Sequence, residues 1–233
     1  MSYTFTLNRD AVINGALRLC GVIGEGETPS ATQIDNAAEQ LNSLVKNWEV
    51  KGLSLWAIKS CTMSLTAGKN SYNTTTDLNI EKPMKLMLAY IHDVNSNSDI
   101  RMQLLTRDEY TRLGVKSSTG VPTQIWYVPN LNDGTVTIYP TPDAGNAAIK
   151  QVVMWYQRPF LDMANGTDIV DFPNEWIRPL TWGLASDLAE EYSLPANKKQ
   201  WIEQKAQMMI AETLSYGEEE GSLFFESQPK WSS

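Results

Sequence analysis

The chain has 233 residues, of which 42% are apolar and 20% charged, with a formal net charge of −8. That balance belongs to a folded protein with a sizeable core and excludes a disordered chain. No stretch approaches the roughly 18 uninterrupted apolar residues of a membrane-spanning helix, and the acidity excludes bulk attraction to nucleic acid, which needs clustered Lys and Arg.

Met1-Ser2-Tyr3-Thr4-Phe5 has neither a basic nor an apolar leader segment, so folding in a cytosol is expected. The first predicted helix runs from an Asn8 cap to a terminating Gly21, with Val12, Ile13, Ala16, Leu17 and Cys20 at helical spacing. The second opens on a capping box, Ser30 with Gln33. Its stripe is Ile34, Ala37, Ala38, Leu41, Leu44, Val45 and Trp48, and Gly52 stops it.

From about residue 53 to 163 the period shortens to that of strands. Residues 56–65 are rich in strand formers, and the turn 66–70 followed by Ser71-Tyr72-Asn73 reads as a hairpin. Further strands are predicted at 85–94, 124–128, 135–139 and 148–156. A short helix is predicted over 107–113, where Thr106 is placed to cap and Asp108 and Glu109 suit the positive helix end. So many short strands suit a small antiparallel sandwich or barrel.

Two helices follow. One lies within 173–192 and presents Ile177, Leu180, Thr181, Leu184, Ala185, Leu188, Ala189 and Tyr192; Pro179 either opens it or kinks it. The other spans about 195–216, with Trp201, Ile202, Ala206, Met209, Ile210 and Thr213 expected inward. After the solvated run Glu218-Glu219-Glu220-Gly221-Ser222 come Leu223, Phe224, Phe225 and Trp231. A terminal segment this apolar, with no room for an element of its own, is expected to dock on something. The reading is therefore α+β. An antiparallel helical core is built from both chain ends, with an inserted antiparallel β sandwich or barrel region and an extended C-terminal tail.

The residues offer little chemistry. With one histidine, His92, and with Cys20 and Cys61 far apart, no zinc spacing exists, and no cofactor motif is present. Both cysteines are expected as buried reduced thiols. Gly24-Glu25-Gly26-Glu27 puts carboxylates where a phosphate cradle needs bare amides and a lysine. The carboxylate pairs Glu25 with Glu27 and Asp108 with Glu109 are the only acid–base candidates. Chance neighbours are inevitable among 27 acidic residues. No catalytic, cofactor or metal residue is assigned, and the chain is read as a non-enzyme.

The order of the motifs is informative. Ala16-Leu17-Arg18-Leu19-Cys20-Gly21-Val22 precedes Gly26-Glu27-Thr28-Pro29-Ser30, then Leu41-Asn42-Ser43-Leu44 and Trp48. Leu65-Thr66-Ala67-Gly68 with Tyr72 follows, then Gly120-Val121-Pro122-Thr123 with Trp126, and Val136-Thr137-Ile138-Tyr139 running into Pro140-Thr141-Pro142-Asp143. Phe172-Pro173 leads to Gly183-Leu184-Ala185-Ser186-Asp187-Leu188-Ala189. Over about residues 8–217 this set resembles the head-to-tail adaptor (tail accessory, head-completion) proteins of short-tailed bacteriophages.

The resemblance implies a virion protein at the head–tail junction, assembled in the bacterial cytoplasm. It implies a ring of typically twelve copies that binds beneath the portal protein, retains packaged double-stranded DNA and carries the tail nozzle or tail-tube protein. Residues 1–52 and 173–217 then form the ring-building helical domain, 53–172 the strand-rich insertion and 218–233 the docking tail. Leu223, Phe224, Phe225 and Trp231 are the candidate portal anchors. DNA is expected to pass the lumen without specific binding, since twelve copies at −8 total about −96. No membrane is involved. The alternatives are a tail-tube or nozzle subunit, and a virion-associated cell-wall glycosidase.

Overall fold

In the computed structural model, residues 7–51 and 57–217 are described. The elements run α1 Arg9–Cys20, α2 Ala31–Val50, β1 Ile58–Ser64, β2 Ser71–Asn73, β3 Lys85–Asp93, β4 Ser98–Arg101, β5 Gln103–Leu105, α3 Arg107–Arg112, β6 Gln124–Pro129, β7 Gly134–Tyr139, α4 Ala144–Ile149, β8 Lys150–Gln157, α5 Asn174–Glu191 and α6 Ala196–Gly217. The fold is α+β. The chain divides into two compact units, Met1–Leu44 with Met163–Ser233, and Val45–Asp162.

In the helical unit, local chemistry sets the helix ends. The Asn8 side chain accepts from the Ala11 N–H at 2.9 Å, and Gly21 takes a left-handed φ of 73° that lets its N–H reach back to α1. The Ser30–Gln33 box is reciprocal: the Ser30 N–H donates to Gln33 Oε1 at 2.8 Å and the Gln33 N–H to Ser30 Oγ at 3.3 Å. α5 packs against both α1 and α6. Its buried face is therefore wider than one stripe and takes in Trp176 and Trp182 as well as Leu180, Leu184 and Leu188.

Pro179 neither opens α5 nor ends it. The helix starts at Asn174, and Pro179 is buried inside it. Trp201, expected inward, is 54% exposed on α6 and sets its ring edge-on to Trp182 at 5.3 Å. Ile202, Ala206 and Met209 do the burying. The Arg9 N–H donates to the Asp168 carbonyl at 2.8 Å, which ties the start of α1 to the segment that feeds α5.

The strand unit holds two four-stranded sheets, ordered β1-β8-β3-β4 and β2-β7-β6-β5. They share one core, with Met63, Ala89, Ile91, Val152 and Met154 from the first sheet against Tyr72, Ile125, Val136 and Ile138 from the second. Neither sheet closes into a barrel, and the second is mixed because β5 pairs parallel to β6. The excursion through α3 between them is long enough for the crossover that a parallel pair needs.

The expected hairpin of β1 and β2 is a corner instead. β1 pairs with β8 and β2 with β7, so the turn at 66–70 carries the chain from one sheet to the other. The Tyr72 hydroxyl braces that turn, accepting from the Thr66 N–H at 3.0 Å and donating to the Lys69 carbonyl at 3.1 Å. No helix among the described residues is long and apolar enough to cross a membrane.

Candidate functional site

Of the acid–base candidates, Glu27, Asp108 and Glu109 have local work, as does His92, while Glu25 is exposed in its loop. His92 Nδ1 lies 2.8 Å from Asp99 Oδ1, its cross-strand neighbour on β4. Glu27 accepts from the Gly24 N–H at 2.6 Å inside its own loop. Asp108 pairs with Arg112 at 2.8 Å one turn along α3. Glu109 closes the α3 capping box: the Thr106 N–H and hydroxyl both donate to it and hold its carboxyl below the usual range. No group of three or more His, Cys, Asp or Glu side chains fit to hold a metal occurs among the described residues.

The cysteines are free thiols. Burial pushes the Cys20 thiol up to about 11, the nearby Lys198 ammonium opposing only weakly, and Cys20 Sγ donates to the Ala185 carbonyl at 3.3 Å. Cys61 is half-buried and is likewise raised by burial. A thiol held in its protonated form is a poor nucleophile. Leu223, Phe224, Phe225 and Trp231, the docking residues expected from the sequence, lie outside the described residues.

What the strand unit does present is an open seam. β4 pairs with β3 only over Tyr90–Asp93. Among the described residues, no strand lies alongside Lys85–Leu88 on that side, and β5 forms the edge of the other sheet. Two recesses that share Leu104 follow this seam. One, of about 390 Å³, is lined by Leu88, Arg101, Met102 and Gln103. The other, of about 280 Å³, is lined by Met84, Lys85, Leu86, Ile125 and Tyr127 among others. Lys85 and Arg101 are the charged residues of the lining, and both are cations. Met84 and Leu104 are each 38% exposed and Met87, at the β3 bulge, 43%.

A rigid knob stands nearby in the sequence. Leu131, at the tip of the β6–β7 turn, is 89% exposed. Its turn is closed by the Asn130 N–H donating to the Asp133 carbonyl at 2.9 Å, and Asn73 Nδ2 donates to the Asp133 carboxylate at 2.6 Å.

Charge is divided unevenly between the two units. The helical unit carries seventeen Asp and Glu against seven Lys and Arg, a balance of −10. The strand unit carries ten against twelve, a balance of +2. The net negative charge of the chain thus comes from the helical unit. Sequence reading missed both features. The seam draws on four separate strands, and the charge division shows only once residues 1–44 and 163–233 are counted together.

A protein-family model described as SU10 adaptor protein matches residues 11–220, which includes nearly all of α1 and every later element. The chain belongs to the SU10 adaptor protein family. It is a phage structural adaptor, a component of the virion that associates with other head and tail proteins. No curated protein matches the chain. The adaptor match ends at residue 220, before Leu223, so the apolar residues of the C-terminal segment fall outside it.

Proposed function

We propose that this adaptor forms a closed ring, of about twelve copies, beneath the portal of the filled head. There it retains packaged DNA and gives the tail nozzle or tail tube its attachment platform. The observation that carries this reading is the adaptor-family match over residues 11–220. The charge division supports it: a helical unit at −10 builds a wall that repels phosphate, so DNA is kept in or let past without sticking. The helical unit is the ring-builder, and the C-terminal segment joins each subunit to the portal-bound assembly through Leu223, Phe224, Phe225 and Trp231. Glu27, Asp108 and Glu109 are engaged within their own loop or helix, which argues against a cell-wall glycosidase built on those pairs.

Mixing purified adaptor with purified portal tests this, with native mass spectrometry and electron microscopy as readouts. The expected result is a ring of adaptors on the portal. Binding to tail proteins alone, with none to the portal, makes the chain a nozzle or tail-tube piece instead. Incubation with peptidoglycan is expected to release no sugar fragments; release that a carboxylate variant loses overturns the non-enzymatic reading.

A further inference from the structure

We propose that the seam between β3 and β5 is a strand-acceptor site, and that its occupant is the C-terminal segment around Leu223 and Phe225 of a second copy of this chain. The inference rests on the ring reading, because it needs a neighbour alongside.

Four features of the seam point to an extended peptide. Lys85–Leu88 of β3 has no strand on its open side among the described residues, and β5 is itself an edge. Open edges are where a further strand adds by main-chain hydrogen bonding. The floor is apolar, made by Leu86, Leu88, Leu104 and Ile125. The two recesses meet at Leu104, which suits a peptide that inserts every second side chain. The rim charges are Lys85 and Arg101, in the only unit of the chain with an excess of cations.

Residues 218–233 have the complementary chemistry. Leu223, Phe224 and Phe225 lie between Glu220 and Glu226. In an extended strand Leu223 and Phe225 share one face and fill the recesses, while Phe224 and Glu226 share the other. Glu220 and Glu226 bracket the triplet on the outward face, so they bring negative charge to the cationic rim of Lys85 and Arg101 without entering the recesses. Leu223 is six residues beyond the end of α6, a reach of up to about 20 Å. Such a contact joins two different surfaces of identical chains, the type of interface that closes a ring. Trp231, farther along, is left to meet the portal.

The test places p-benzoylphenylalanine at Phe225 in the full chain, assembles it on portals, irradiates, and maps the adducts by mass spectrometry. Rings are scored separately by electron microscopy. The expected adducts join two copies and fall in residues 84–88 or 101–105. Charge reversal of the rim, Lys85→Glu with Arg101→Glu, is expected to cut the yield by about tenfold. Both side chains are exposed, so circular dichroism should be unchanged. Rings whose adducts fall on the portal, on the helical unit or within the same chain overturn the inference and leave the ring reading standing. A chain that associates with no second copy, on portals or alone, overturns both.

Discussion

The Tyr127 hydroxyl donates to the Pro83 carbonyl at 2.6 Å and ties β6 to the segment that enters β3. The same ring lies against Gly134, where a Cβ would meet Tyr127 Cε2 at 2.4 Å, so any side chain at 134 would push the ring out of place. Burial, with the Asp133 carboxylate adding to it, pushes this phenol up to about 12. A folded-state pKa raised above the unfolded value gives stability that is whole below about pH 10 and lost as pH climbs through about 12. Tyr127→Phe is expected to cost about 1 kcal/mol at neutral pH and to flatten the alkaline fall in melting temperature between pH 10 and 12. An unchanged alkaline profile refutes the assignment. Tyr156, also raised to about 12, and Cys20, raised to about 11, contribute to the part of the slope that remains.

At the opposite pH extreme, Asp93 is the group to watch. Its carboxylate is bonded by Lys150 Nζ and by the N–H groups of Ser96 and Asn95, which hold it down to about 2. A depressed carboxylate stabilises above its unfolded value of 3.8, and that stability drains as pH falls through about 2. Asp93→Asn should therefore melt lower than wild type at pH 6, with the gap closing by pH 2. A gap of constant size across that window argues against the ion pair as the cause.

Gly15 is a point where α1 packs tightly on α5. A Cβ there would sit 3.0 Å from Thr181 Cγ2. Gly15→Val is expected to destabilise by about 1–3 kcal/mol, measured by urea unfolding. Thr181→Ala in the same chain should recover part of that loss, since it removes the methyl the new side chain strikes. Failure of the double variant to recover anything places the strain elsewhere.

Deletion of residues 218–233 is expected to leave a folded monomer that no longer assembles on portals. Circular dichroism reads the first half of that outcome and electron microscopy the second. A truncated chain that still forms portal-bound rings moves the docking residues out of the C-terminal segment.

The helix ends were legible in the sequence because caps are local chemistry. Asn8, Gly21, Ser30 with Gln33, and Thr106 with Glu109 each act within three or four residues of themselves. Periodicity likewise named the α2 stripe from Ile34 to Trp48, buried at every position except the half-buried Ile34. It misjudged Trp201, whose ring finds an aromatic partner at the surface instead of a place in the core. It also read β1 and β2 as a hairpin, because a turn signal reports that the chain reverses and not which strand it then pairs with.

The sequence by itself determined the α+β character, the capped ends of α1, α2 and α3, and a motif order that the adaptor-family match bears out. α4 and the start of α5 at Asn174 were not legible, and Gly52, expected to stop α2, lies outside the described residues. Only the tertiary structure decided strand pairing, the parallel β5–β6 pair, the open seam on β3 and the gathering of negative charge into one unit. The division has a physical cause. Capping and amphipathic spacing are settled within a few residues. Sheet edges and unit charge depend on contacts between segments far apart in the chain, which no local pattern encodes.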